Sequence, residues 1–132
     1  MDQNTLNGIK IVWVEDDKFL VSLIQKRMEG TSAQLIQVTD GALAYDKVKE
    51  VKPNVIVLDL LMPNVDGFEI LRKIKADAQT NKIPVLVLSN LGQKEEIEKA
   101  HDLGATKFVV KATIGLDGII PEIENMARSA QQ

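Results

Sequence analysis

Four apolar runs in this chain end in side chains with reactive or ligating chemistry. IKIVWV is followed by Glu15, Asp16 and Asp17, VIVL by Asp59, PVLVL by Ser89, and KFVV by Lys111. The acidic residues pose an electrostatic problem. Carboxylates gathered at one edge raise one another's pKa unless a cation intervenes, and an unpaired carboxylate is costly to bury. There is no Cys, and the single histidine, His101, falls in an amphipathic stretch between two runs rather than at a run end. Oxygen ligands alone suit a hard divalent ion, Mg2+ or Mn2+, which takes one or two carboxylates and keeps several waters. Lys111 then makes sense as a second cation across the site. A metal, an ammonium and a hydroxyl together are suited to holding a phosphoryl group.

Each of these residues also has an ordinary explanation. Asp59 would serve as a loop cap, and Glu15, Asp16 and Asp17 as the N-cap and first turn of a helix, where the dipole favours acids. Asp17 is assigned to that cap. Ser89 alone reads as a strand-end hydroxyl and Lys111 as a solvated lysine. Trp13 is read as core, His101 as surface, and Asp66-Gly67 as the turn that starts a helix, while Met62-Pro63 shapes the loop after Asp59.

These side chains need a scaffold that brings run ends together. Apolar runs alternate with amphipathic stretches five times, which argues for a parallel sheet flanked by helices. The expected strands cover residues 9–14, 34–38, 55–58, 84–88 and 107–110. The second is the more polar and belongs at an edge, because strands covered on both faces are near-continuously apolar. The expected helices cover 17–30, ended by Gly30; 42–51, stopped by Pro53; 68–76; 95–103, closed by Gly104; and 116–128, with a start or short break near 118–121 because Pro121 falls inside the pattern. In an open parallel sheet, function gathers outside the carboxyl ends of the strands.

At 132 residues, 45% hydrophobic and 27% charged, the composition is that of one globular domain. The net charge of −3 offers no basic footprint for nucleic acid and disfavours anionic membrane surfaces. The absence of Cys suits a reducing compartment, and the polar N-terminus is unlike a signal peptide, so a cytoplasmic protein is expected.

Glu15-Asp16 after an apolar strand, DLLMPNVDG from Asp59 to Gly67, Ser89 after VLVL, and Lys111 three residues beyond Phe108 together resemble the receiver domain of two-component response regulators. The resemblance covers residues 9–128, with 1–8 and 129–132 as tails, and implies a stand-alone, flavodoxin-like (βα)5 fold with a doubly wound sheet of order 2-1-3-4-5. It further implies that Asp59 is the phosphoacceptor. Asp16, Asp59 and the Leu61 backbone carbonyl would bind Mg2+ or Mn2+, with Glu15 acting mostly through water. Ser89 and Lys111 would each hold a phosphoryl oxygen, and Phe108 would be a switch residue coupled to Ser89. The implied partners are a histidine kinase or phosphotransfer protein as donor, and a downstream protein or a homodimer on the helix 4–strand 5–helix 5 face. Such a chain is no enzyme beyond its own phosphorylation and dephosphorylation, and no room remains for an output domain.

Two positions depart from the family pattern. Ala112 replaces the proline that usually follows the lysine in a cis peptide, and Asn90 replaces a small residue after Ser89. A degenerate receiver that binds a partner without phosphorylation is therefore a second reading. An aspartyl-nucleophile hydrolase would need an acid or base where Leu61 stands, and VEDDKF is the electrostatic opposite of a flavin-phosphate loop. The apolar neighbours Leu61 and Leu91 are expected to hinder water and prolong a phosphorylated state.

Overall fold

In a computed structural model, which describes residues 8–62, 65–90 and 92–130, each apolar run pairs with a neighbour through its backbone and leaves its side chains to alternate between two faces. The strands are β1 (Lys10–Val14), β2 (Gln34–Val38), β3 (Val55–Leu58), β4 (Val85–Ser89) and β5 (Lys107–Val110). They form one all-parallel sheet of order β2-β1-β3-β4-β5, a doubly wound arrangement whose direction of winding reverses between β1 and β3. Register is continuous across that point, with Ile11 opposite Val55 and Val14 opposite Leu58.

The helices are α1 (Lys18–Arg27), α2 (Ala44–Val51, entered through a 3-10 turn at Gly41–Leu43), α3 (Gly67–Ala76), α4 (Lys94–Asp102) and α5 (Lys111–Ala130). Strand periodicity splits the core in two. Ile11, Trp13, Val57 and Leu88 pack with Val21 and Ile24 of α1 and Ile119 and Ile123 of α5. Val12, Val14, Ile56 and Val87 pack with Val48 of α2, Leu71 and Ile74 of α3, and Ala100 of α4. All of β3 is buried, whereas β2 is buried only at Val38, as its edge place requires. No helix among the described residues is long and apolar enough to cross a membrane.

Three departures from the sequence-based elements have local causes. β4 starts and ends one residue late: Pro84 has no N–H to donate, while Ser89 pairs with Val110. Two short antiparallel strands, Leu61–Met62 and Val65–Asp66, stand where a loop was expected, and Pro63 lies outside the described residues. The last helix begins at Lys111, directly after β5, and runs to Ala130 rather than over 116–128. Its break is at Gly115 (φ 68, ψ 166), not at 118–121, because that conformation is open essentially to glycine alone. Gly118 serves packing instead: a Cβ there would lie 2.7 Å from Ile114 Cγ1. Pro121 stays inside the helix.

Candidate functional site

The carboxyl ends of β1 and β3 lie side by side, so the residues that follow them must meet. Glu15 N–H donates to Val38 O at 3.0 Å and Asp59 N–H to Val14 O at 3.0 Å, which carries the sheet's hydrogen bonding one residue past each strand. Both side chains are thereby fixed at the base of the site, Glu15 1% and Asp59 5% exposed. Asp59 Oδ1 accepts from Leu61 N–H at 3.0 Å, which sets the carboxylate plane. Glu15 Oε2 accepts from Asp17 N–H at 3.4 Å, and its backbone carbonyl accepts from Gln37 Nε2 at 2.9 Å.

Lys111 comes in from the first turn of α5. Its Nζ lies 3.2 Å from Asp59 Oδ2 and 2.8 Å from Glu15 Oε1, so one ammonium serves two buried carboxylates. There is no cis peptide among the described residues, and Lys111 reaches these partners with a trans bond to Ala112. Asp16, exposed, completes the acidic group: one oxygen each from Glu15, Asp16 and Asp59 lies within 4.8 Å of the others. This donor set is all carboxylate oxygen and fits a hard divalent ion. Mg2+ takes only one or two carboxylates directly and keeps several waters, so not all three need bind it without an intervening water.

The Glu15 carboxyl is raised from 4.5 to about 7; burial is the main cause, Lys111 opposes it, and the neighbouring Asp59 adds to it. Burial pulls Lys111 down, but Glu15 and Asp59 outweigh it and its pKa is raised overall. The Glu15 shift has a stability consequence. A carboxyl whose folded pKa is raised favours the folded state below its unfolded pKa, and that contribution is lost as pH climbs through the folded value. In EDTA, urea unfolding should therefore show stability falling between about pH 5 and pH 8, by at most about 3 kcal/mol from this group. Glu15→Gln should flatten the curve; an equal slope in both proteins would refute the assignment.

Ser89 is fully buried at the end of β4, opposite Val110 in register. Phe108 lies half-buried on β5, against the core shared by α2, α3 and α4. Asp17 is the N-cap of α1, its Oδ1 accepting from Leu20 N–H at 3.0 Å, and Asp66 caps α3, accepting from Phe68 N–H at 2.9 Å. Trp13 is buried and His101 is an exposed residue of α4. Asn90 lines a cavity of about 310 Å³ with Lys111, Asp17 and Gly115, on the α1–α5 side of the site. Leu61 is 52% exposed, and Leu91 lies outside the described residues.

Two contributors escaped sequence reasoning. Gln37 is one of two polar residues in β2 and supports Glu15 through its carbonyl; the polar character of that strand was the available signal. Gly67 allows the α3 start to pass against the backbone after Asp59: a Cβ there would lie 2.5 Å from Leu60 Cα. Nothing in the local sequence distinguishes that approach from a simple turn.

The family model for the response regulator receiver domain matches residues 11–121. The chain is 31% identical over 102 residues to the DNA-binding dual master transcriptional regulator RpaA of Synechocystis, covering 77% of this chain and 42% of that protein. It thus spans less than half the length of that relative. Among solved structures it is similar to the phosphorylated cyanobacterial phytochrome response regulator RcpA, at 29% identity and TM-score 0.76, with 94% of each chain covered. It is also similar to the Mn2+-bound form of the response regulator Rcp1, at 26% identity and TM-score 0.73, covering 92% of this chain and 91% of that one.

Proposed function

The chain belongs to the response regulator receiver domain family, and from that premise we propose that it is a phosphorylation-dependent switch whose Asp59 accepts a phosphoryl group from a histidine kinase or phosphotransfer protein. The observation that carries this reading is Lys111 Nζ, 3.2 Å from Asp59 Oδ2, beside three carboxylate oxygens within 4.8 Å of one another. In the reaction an Asp59 carboxylate oxygen attacks phosphorus, the phosphorus–nitrogen bond to the donor imidazole breaks, and the imidazole leaves.

Leu61 N–H holds Asp59 Oδ1 and so presents the carboxylate in one orientation to the donor. Lys111, which shares its charge between Glu15 and Asp59, pairs with a phosphoryl oxygen once Asp59 is esterified, and the Ser89 hydroxyl donates to another. Mg2+ or Mn2+ would be held by Asp16, Asp59 and the Leu61 carbonyl, with Glu15 through water; when bound it supplies positive charge to the transferred phosphoryl oxygens. The Mn2+-bound form of Rcp1 supports this choice of ion.

Phosphorylation then shifts a pre-existing equilibrium by offering better contacts in one state. Ser89 and Phe108 couple the site to the face built from α4, β5 and α5, where a downstream protein or a second copy docks. Incubation with acetyl phosphate and Mg2+, read by intact mass, tests the proposal. Gain of one phosphoryl group that requires the metal is expected. No gain would favour a receiver that binds its partner without phosphorylation.

Exposed Leu61 is an apolar neighbour of the acyl phosphate and hinders attack by water. Leu61→Asn should therefore speed loss of the phosphoryl group by several-fold to about tenfold, the scale of roughly 1 kcal/mol in the barrier. An unchanged decay rate would remove Leu61 from any role in setting the lifetime.

A further inference from the structure

At the opposite end of the sheet, where β4 and β5 begin, a second cavity of about 420 Å³ opens between the C-terminal parts of α3 and α5. Its charges do not balance. Lys75, Lys82 and Lys107 line it against one carboxylate, Glu122, and Glu122 is engaged, with Oε2 3.0 Å from Lys107 Nζ. Half-buried Lys75 donates to two backbone carbonyls, Asn81 O at 3.0 Å and Ile83 O at 2.8 Å, and has no carboxylate partner among the described residues. Burial pulls its pKa down with nothing to compensate. Lys82 has no partner among the described residues. An ammonium carries three donors, so one N–H of Lys75 and all of those on Lys82 remain for a ligand.

The neutral groups around the cavity are left in the same condition. Thr106 Oγ1 accepts from Val85 N–H at 3.1 Å, which frees its hydroxyl proton to donate inward. Asn125 Oδ1 accepts from Arg128, which leaves the amide N–H groups. Ser129 adds another hydroxyl, while Pro84 and Met126 supply an apolar patch. The bordering ends of α3 and α5 bring about half a negative charge each. Two uncompensated lysines exceed that sum. A cavity rich in free donors, with its carboxylate occupied, calls for a ligand rich in acceptors and negative charge. Lysine meets phosphate as a point charge without the planar geometry arginine imposes.

We propose that this cavity binds a small phosphate-bearing anion, at a site separate from Asp59. The experiment titrates the isotope-labelled full chain with inorganic phosphate, and in parallel with phenyl phosphate, in EDTA at constant ionic strength, reading backbone amide shifts. Saturable shifts are expected at Lys82, Val85, Thr106, Lys107 and the α5 residues from Asn125 to Ser129. Tighter binding of phenyl phosphate assigns the site to a phosphorylated organic molecule whose body rests on Pro84 and Met126, and equal binding assigns it to free phosphate. Lys82→Glu, at an exposed position without partners, should weaken either probe by about fivefold or more, the scale of one exposed charge contact. Shifts that grow linearly and are matched by sodium chloride, affinity unchanged in Lys82→Glu, or shifts confined to the surroundings of Asp59 would each overturn the proposal.

Discussion

Asp59→Asn will take no phosphoryl group from acetyl phosphate or a histidine kinase, its signal falling to background while the fold persists. Two features separate the chemical loss from a structural one. The backbone bond from residue 59 to Val14 O does not involve the side chain, and an asparagine Oδ1 can still accept from Leu61 N–H. What disappears is the carboxylate proposed to attack phosphorus; a carboxamide is too weak a nucleophile to replace it. The same substitution has a second readout. Asp59 helps raise the Glu15 pKa through hydrogen bonding and charge. Removing it should lower that pKa and shrink the loss of stability between about pH 5 and pH 8 in EDTA. A phosphorylated Asp59→Asn protein would place the acceptor elsewhere. Absence of label with an unaltered pH dependence would separate the chemistry from the electrostatic coupling.

The site was legible because a parallel sheet delivers strand ends to a common edge, whatever the helices between them do. β2, β3 and β5 fall where periodicity places them, and Glu15, Asp59 and Ser89 occupy the carboxyl ends of β1, β3 and β4. Glu15 and Asp59 are thereby brought to one ammonium, that of Lys111. The last helix is harder to read, because glycine and proline can each play more than one part there. Gly115 interrupts α5 through its dihedral angles, Gly118 makes room for Ile114, and Pro121 interrupts nothing. Three breaker residues within seven positions thus play three different parts, and only the fold separates them. The part played by Gln37 is hard to read for another reason: a polar strand signals an edge, but the contact is with a backbone carbonyl 22 positions away in sequence, which no local pattern encodes.

Gly67 gives the largest structural effect expected from adding one carbon. On helix propensity alone, Gly67→Ala at the first position of α3 should be neutral or stabilising by up to about 1 kcal/mol. Packing reverses the sign. The new Cβ would lie 2.5 Å from Leu60 Cα, 2.9 Å from its O and 3.0 Å from its C, all backbone atoms that no side-chain rotation can clear. The chain after β3 has to move by something near 1 Å, and overpacking of that kind costs about 1–3 kcal/mol. Leu60 links Asp59 to Leu61, whose N–H orients the Asp59 carboxylate, so the displacement is transmitted to the nucleophile. A misplacement of about 1 Å is enough to slow a positioned reaction by roughly 100-fold. Gly118→Ala is the control: its Cβ would meet Ile114 Cγ1 at 2.7 Å, a side-chain atom able to change rotamer, at a distance from Asp59 along α5. Urea unfolding and the rate of acetyl phosphate labelling should therefore both fall in Gly67→Ala, whereas Gly118→Ala should lose stability alone. A Gly67→Ala protein that labels at the normal rate would mean that the loop after Asp59 yields without moving the carboxylate.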